Sequence, residues 1–226
     1  MHFAASEVPP SIFKYLRPEH ADRMVESGLI RIGSLYGYRS SEIPDTERDD
    51  PVEGTATVSI GPGPWSRLGS DLPPSFHQFA TGIKIHPTAR LAVTGGGFFN
   101  IVRAPPNAFI YCACLQFEPS LSHAFGGACV EIFRVGTFLE LLTASLELPD
   151  DLGVAWATRG YFGNCQYGLR EQHIAQFSSV DPYLAKAQSY VHQREARAIW
   201  IPTRMVPPLY VDRRIDDLAQ ICQRVL

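Results

Sequence analysis

The sequence lacks the features that mark several large classes of protein. Its five cysteines are odd in number and show no paired spacing, so we expect no disulfide framework and a reducing, cytoplasmic location. It has no block of lysine or arginine, and its formal net charge of −3 argues against a broad electrostatic grip on nucleic acid, though not against a local one. No apolar run approaches the length of a membrane span, so we expect no membrane partner. The first residues show no basic-then-apolar pattern, and we expect no secretory leader.

The chain does contain enough apolar residues to build a core. Hydrophobic residues make up 45% of its 226 residues, which predicts a single domain over residues 1–226. Residues 61–75 are rich in Gly, Pro and Ser and predict an irregular insertion in that domain. The predicted strands are scattered among the helices rather than alternating with them regularly, so the sequence predicts an α+β fold with a mixed sheet.

The N-terminal part of the chain predicts a strand, a helix and a second strand. Residues 11–16 are β-prone and follow two prolines. Pro18 is an accepted first helical residue, and Gly28 supplies the C-terminal stop. Residues 29–32 then resume as a strand, which completes a compact strand–helix–strand unit.

A polar loop is predicted over residues 36–54, because this run has no apolar period. A charged surface loop is one explanation of Arg39 and Arg48 within it. The other is that one of these arginines projects into a site and is held by neighbouring carboxylates, since the rigid arginine fork suits phosphate.

The remaining elements are predicted from apolar spacing and turn residues. Strands are expected over residues 80–85, 107–117, 128–133 and 193–201, a hairpin over 153–167, and helices over 138–146, 181–190 and 212–226. The three glycines at residues 95–97 predict a turn, because they lack the spacing and the following helix of a dinucleotide-binding loop.

The most informative residue is Glu195, an acid at the mouth of an apolar run. Residues 198–201 are followed by proline and predict a buried strand. If this strand starts before Glu195, then Gln193, Glu195 and Arg197 share one face, because strand side chains alternate. An acid in such a position is either paired or functional. In the paired case, Arg194 or Arg197 neutralises Glu195 at the strand end.

The cysteines and histidines do not predict a metal site. Cys112 and Cys114 lie two apart in a predicted strand, so both point the same way. A zinc site would need further ligands, for which His123, Cys129 and Cys165 are available, but the spacing lacks the two-residue gap of zinc knuckles. Buried structural thiols explain the pair better, so we expect no metal. The seven histidines are spread singly, and nothing selects a cysteine–histidine nucleophile pair.

Several segments resemble a widespread uncharacterised bacterial domain family. They are the lysine–tyrosine strand at residues 13–16, the Gly-Leu at 28–31, the strands at 111–115 and 129–132, and the terminus at 193–197. Members of the family often carry a later Asn-Asp-Pro-Phe-Glu motif. Here that position reads Arg-Asp-Asp-Pro-Val-Glu over residues 48–53, with an aspartate for the asparagine and Val52 for the phenylalanine.

That family in turn resembles the ADP-ribosyltransferase superfamily, which includes bacterial toxins that modify DNA and RNA. The resemblance implies a mixed, mainly antiparallel split β-sheet with flanking helices. It places Tyr15 where the superfamily has His, Arg or Tyr on its first strand, with Arg17 as a substitute for the usual basic residue. It places Glu195 at the late essential glutamate, with Gln193 two residues earlier as in several members. The Ser-Thr-Ser segment common in arginine-type members is not evident.

The function that this resemblance implies is NAD-dependent ADP-ribosyl transfer to a macromolecule, either protein, DNA or RNA. The chain would be a bacterial toxin or antiviral defence effector, with an antitoxin protein as a further partner and no metal. Glu195 would face the ribose and Gln193 would orient the acceptor, while Arg39 or Arg48 would hold the pyrophosphate and Tyr15 the nicotinamide half. Two alternatives stay open: an NAD glycohydrolase that uses water as acceptor, and a non-catalytic binding module in which Glu195 is simply paired with an arginine.

Overall fold

The computed structural model describes residues 8–39, 52–60, 91–94, 98–148, 157–173, 181–202 and 210–226. The chain divides into two compact units. The larger comprises Met1–Glu53, Asn107–Cys165 and Tyr190–Leu226, and the smaller comprises Gly54–Pro106 and Gln166–Ser189. This division into compact units does not test the prediction that residues 1–226 form a single domain, which therefore stays a prediction.

The larger unit is built on an eight-stranded sheet whose described pairings are all antiparallel. Its strands are β1 (Ile12–Leu16), β2 (Leu29–Ser34), β6 (Phe109–Cys114), β7 (Ala128–Ile132), β8 (Ala157–Asn164), β12 (Glu195–Pro202), β13 (Tyr210–Arg214) and β14 (Cys222–Arg224). The helices Pro18–Ser27, Leu35–Arg39, Pro119–Phe125 and Val135–Glu147 belong to the same unit, as does the short 3₁₀ helix Leu218–Gln220.

Strand β6 is the centre of this sheet, and one of its edges is split between two partners. On one side it pairs with β12 along its whole length. On the other side it pairs with β2 at Phe109 and Ile110, and with β1 at Cys114. Between these pairings the Lys14 ammonium donates to the Cys112 carbonyl at 2.7 Å and lies 4.7 Å from the centre of the Tyr111 ring. The lysine of the lysine–tyrosine strand thus links β1 to β6 where the backbone ladder is interrupted.

Apolar side chains of the sheet and of two helices form the main core of the larger unit. Helix Pro18–Ser27 buries Ala21 and Met24 against it, and helix Val135–Glu147 buries a stripe that includes Phe138 and Leu142. Trp200 of β12 is fully buried there, and its indole Nε1 donates to Thr143 Oγ1 at 2.9 Å. Burying a large aromatic with its polar atom satisfied stabilises the packing of β12 against the helix.

Gly28 ends the first helix in a way that only glycine tolerates easily. Its φ is 66°, and an added Cβ would lie 2.0 Å from the Ile215 carbonyl oxygen. We expect Gly28→Ala to lower the free energy of unfolding by about 2 kcal/mol or more, because it combines a left-handed backbone with a backbone clash. Urea denaturation followed by circular dichroism measures this.

The control for this substitution is Gly136→Ala, near the start of helix Val135–Glu147. An added Cβ there meets nothing within 4 Å, so this change should be neutral or stabilising by about 0.5–1 kcal/mol. Equal effects of the two substitutions would contradict the argument for Gly28.

The smaller unit contains a four-stranded sheet and a two-stranded ribbon. The sheet has the order β10 (Glu171–His173), β3 (Ala56–Ile60), β5 (Phe98–Arg103), β4 (Leu91–Thr94); its described β10–β3 pair is parallel and its other two pairs are antiparallel. The ribbon pairs β9 (Gln166–Tyr167) with β11 (Ala185–Lys186) in parallel. Ala56 and Ala185 are buried against Leu169.

The α+β class and the mainly antiparallel sheet predicted from the sequence are confirmed. So are the opening strand–helix–strand unit, the strands within residues 107–117 and 128–133, and the helix over 138–146. The predicted insertion at 61–75, the strand at 80–85 and the glycine turn at 95–97 lie outside the described residues.

Two predictions near the C-terminus are wrong. Residues 212–226 form β13, a 3₁₀ helix and β14 instead of a closing helix, because both strands pair with the sheet. Residues 181–190 hold a turn, β11 and the start of the 3₁₀ helix Gln188–Gln193 instead of one α-helix, although the Asp181 carboxylate does accept a hydrogen bond from the Tyr183 N–H at 2.9 Å. The strand predicted over residues 193–201 is confirmed as β12, but it begins at Glu195, because Gln193 belongs to the 3₁₀ helix.

Two smaller predictions are also corrected. Residues 36–39, which were expected to open a loop, belong to the short helix Leu35–Arg39. The hairpin expected over residues 153–167 is not formed by the described part of that range, where Ala157–Asn164 is a single strand alongside β12. None of the helices in the described ranges is long and apolar enough to cross a membrane.

Candidate functional site

The candidate site is built around the first residue of β12. Glu195 lies opposite Cys114 of β6, and its carbonyl oxygen accepts a hydrogen bond from the Cys165 N–H at 2.9 Å. The preceding residue, Arg194, has a φ of 43°. A left-handed conformation costs a non-glycine residue about 1–2 kcal/mol. Such strain persists where surrounding contacts enforce it, and here the Arg194 carbonyl accepts a hydrogen bond from the Leu115 N–H at 2.9 Å.

The Glu195 carboxylate is paired with an arginine of its own strand. Arg197 Nε donates to Glu195 Oε1 at 2.6 Å, and the two residues are only 1% and 6% exposed. This confirms the interpretation in which Arg197 neutralises Glu195. Arg194, the other predicted partner, instead donates to the Gln116 side chain.

Arg197 has a second carboxylate partner, which the sequence interpretation did not foresee. Its Nη1 lies 2.9 Å from Glu53 Oε1, and Glu53 is 5% exposed. Burial by itself lowers the pKa of the Arg197 guanidinium, but Glu195 and then Glu53 outweigh it and hold that pKa well above its ordinary value. Arg197 is therefore fully charged, and it bridges two buried carboxylates that are far apart in the sequence.

The main chain of Glu53 is held by another predicted site residue. Arg39 Nε donates to the Glu53 carbonyl oxygen at 2.6 Å, and the Arg39 guanidinium lies 5.3 Å from the centre of the Tyr36 ring. Two arginines thus fix Glu53, one through its carbonyl group and one through its carboxylate. Contacts through Glu53 and Arg197 thus connect Arg39 to Glu195.

Tyr38 is a further residue of this cluster that the sequence interpretation missed. The half-buried Tyr38 has its pKa raised well above the ordinary value, chiefly by burial, with contributions from Cys112 and the negative charge of Glu195. Its ring lies against the backbone of Gly33, where an added Cβ would come within 2.9 Å. The tyrosine is therefore neutral beside the charged pair.

Tyr15 lies on the same face of the sheet as Glu195. Phe13, Cys114 and Glu195 are in register across β1, β6 and β12, and Tyr15 follows Phe13 by two residues. Adjacent strands are about 4.8 Å apart, so β1 and β12 are separated by roughly 10 Å. The Tyr15 side chain is 6% exposed and packs beside Phe125.

The Tyr15 hydroxyl is committed to the backbone of one residue. It donates to the Glu118 carbonyl at 2.9 Å and accepts from the Glu118 N–H at 2.6 Å, and burial raises its pKa. We expect Tyr15→Phe to lower the free energy of unfolding by about 1–2 kcal/mol, because both hydrogen bonds are lost. Urea denaturation measures this, with Tyr210→Phe on an exposed side chain as the control. No loss relative to that control would contradict the structural role of the hydroxyl.

The other predicted site residues are placed as follows. Arg17 is exposed at the start of helix Pro18–Ser27, where its carbonyl accepts from the N–H groups of His20 and Ala21. Gln193 is buried, with 2% exposure, at the end of its 3₁₀ helix. Arg48 lies outside the described residues. Glu195 and Arg39 are therefore linked indirectly, through Arg197 and Glu53, whereas Arg17 lies at the start of the first helix.

The five cysteines are free thiols, and all but the half-buried Cys112 are buried. Burial raises the pKa of Cys129 to about 12 and that of Cys222 to about 11, so both are inert neutral thiols near pH 7. Across the described ranges, no group of three His, Cys, Asp or Glu side chains is arranged to hold a metal ion.

Comparison with protein-family models, with curated proteins and with solved structures finds no match to this chain. The site must therefore be interpreted from its own residues.

Proposed function

We propose that this protein is an NAD-dependent ADP-ribosyltransferase that acts on a macromolecule, either a nucleic acid or a protein, as a bacterial toxin or phage-defence effector. The observation that supports the proposal is that two segments of the family resemblance meet in the fold. Glu53, from the segment that resembles the Asn-Asp-Pro-Phe-Glu motif, and Glu195, at the start of β12, are bound to the same guanidinium of Arg197.

The reaction makes use of an ionised carboxylate. The bond between the ribose C1′ and the nicotinamide nitrogen breaks, and nicotinamide leaves with the bonding electron pair. Positive charge develops on the ribose, as in glycoside cleavage, and an acceptor atom then bonds to C1′ and loses its proton to water or to a base. A fixed anion beside the ribose stabilises this state more than it stabilises bound NAD.

Arg197 supplies a positive charge beside the buried Glu195. Burial of a carboxylate without a cation disfavours its charged form. The Arg197 Nε lies 2.6 Å from Glu195 Oε1. In this proposal Glu195 faces the ribose, Gln193 orients the acceptor, and Arg39 or Arg48 holds the pyrophosphate.

A second candidate is a non-catalytic binding module, and the same ion pair favours it. Buried ion pairs also occur as purely structural links, and their net contribution to stability is small or negative compared with apolar packing. In that case Glu53, Arg197 and Glu195 would only join the motif segment to β12, and NAD would not be consumed.

One experiment separates these candidates. The purified protein is incubated with NAD labelled in its adenylate half, in separate pools of protein, DNA and RNA, and the release of nicotinamide is measured in parallel. Label transferred to one pool together with nicotinamide release supports the transferase. Release without transfer indicates a glycohydrolase, and no release in any pool, with no NAD binding by calorimetry, favours the binding module.

A further inference from the structure

Arg197 contacts Glu195 and Glu53 through different nitrogens. Nε meets Glu195 at 2.6 Å, and Nη1 meets Glu53 at 2.9 Å. The guanidinium is planar and rigid, so a carboxylate bound to one nitrogen fixes the direction of the others. Because Arg197 is only 1% exposed, solvent does not compete for these contacts.

The two carboxylates are anchored in different ways. Glu195 is at the start of β12, with its carbonyl bound to the Cys165 N–H. Glu53 lies in a turn, and its carbonyl is bound by Arg39 Nε. The contacts therefore run in sequence from Arg39 to Glu53, from Glu53 to Arg197, and from Arg197 to Glu195.

We propose that Arg197 is a positioning residue that holds Glu195 in place and is itself held by Glu53. Glu53 then acts on the site through Arg197, without contacting the reacting atoms. The catalytic part of this inference rests on the proposed function. The structural part, that Glu53 holds Arg197 against Glu195, is measured independently of any activity. It identifies the last acid of the motif segment as a part of the site.

The test uses Glu53→Gln, which keeps the shape of the side chain and removes its charge. The first readout is the hydrogen exchange rate of Arg197 Nε–H, followed by NMR on protein carrying ¹⁵N-arginine. In the unsubstituted protein this proton is buried and bound to Glu195, so it exchanges slowly. We expect exchange to become about tenfold or more faster in Glu53→Gln, because a neutral amide oxygen holds the guanidinium only about half as strongly as the carboxylate does.

The second readout is the kinetics of nicotinamide release. We expect kcat to fall by about 10- to 100-fold with KM for NAD nearly unchanged, since a misplaced group loses transition-state contacts. The matched control is Glu131→Gln, an acid of β7 whose carboxylate accepts from Gln223 at the surface. It should change neither readout. If Glu53→Gln does not fold, Glu53→Asp keeps the charge, shortens the reach to Arg197 and carries the same expectations.

The outcomes are distinguishable. Unchanged exchange of Arg197 Nε–H would overturn the inference whatever the activity, because Glu53 would then not hold the guanidinium. Faster exchange with unchanged kcat would overturn the positioning role in catalysis. If the unsubstituted protein releases no nicotinamide, the proposed function fails, and the exchange rate alone decides whether Glu53 fixes Arg197 against Glu195.

Discussion

Replacing Arg197 by methionine should lower the free energy of unfolding by about 3–5 kcal/mol, the range found when one partner of a buried ion pair is removed. Methionine has a similar length and fits an apolar environment, so the loss is mainly electrostatic. The carboxylates of Glu195 and Glu53 would remain buried without the cation they share. Urea denaturation, followed by the fluorescence of the tryptophans and by circular dichroism, measures the change.

An exposed ion pair provides the control for this prediction. Arg31 Nε donates to Asp212 Oδ1 at 2.8 Å, and the two side chains are 51% and 39% exposed. Arg31→Met should cost less than about 1 kcal/mol, because water screens exposed pairs. The combined variant Arg197→Met, Glu53→Gln, Glu195→Gln should regain much of the lost stability, since no buried charge is left. An effect of Arg197→Met no larger than that of Arg31→Met would contradict the buried cluster.

Glu195→Gln should reduce nicotinamide release by about 100- to 1,000-fold, which corresponds to a loss of about 3–4 kcal/mol of transition-state stabilisation. The amide keeps an oxygen that can accept the hydrogen bond from Arg197 Nε, so the strand end should stay folded. What is lost is the negative charge that, in the proposed reaction, faces the developing cation. Initial rates with saturating NAD, measured at a temperature where circular dichroism shows a folded protein, test this.

Glu140→Gln is the matched control, because Glu140 is an exposed acid of helix Val135–Glu147 and has no part in the cluster. Its rate should equal that of the unsubstituted protein. If an active protein keeps more than a third of its rate in Glu195→Gln, the carboxylate does not carry the reaction. The loss of stability from this substitution is measured separately, so that unfolding is not mistaken for loss of chemistry.

The sequence predicted a helix or strand correctly where the spacing of its apolar residues matches the element that buries them in the fold. Pro18 and Gly28 bound the first helix because their effects on the backbone are local. A helix was wrongly predicted over residues 212–226, because Ile215, Leu218 and Cys222 have helical spacing. All three are indeed buried in the core. Their burial comes from a strand, a 3₁₀ turn and another strand, and the pairing with β2 and β7 is not encoded locally.

The site shows the same limit. The position of Glu195 beside an apolar run predicted that this acid is either paired or functional. Its pairing with Arg197 follows from the alternation of side chains along β12, which places residues 195 and 197 on one face. The contact of Arg197 with Glu53 could not be predicted, because it depends on where the turn at Glu53 lies in the fold. The hydroxyl of Tyr15 was expected at a ligand, and its commitment to the Glu118 backbone depends on a similarly remote segment.

The interrupted edge of β6 has a mechanical consequence. A continuous strand ladder transmits displacement stiffly, because many short hydrogen bonds must stretch together. A single ammonium on a flexible four-carbon stem, as at Lys14 and Cys112, tolerates small shifts without breaking. We therefore expect β1 and β2 to shift against β6 more easily than fully paired strands would, on the edge of β6 opposite β12.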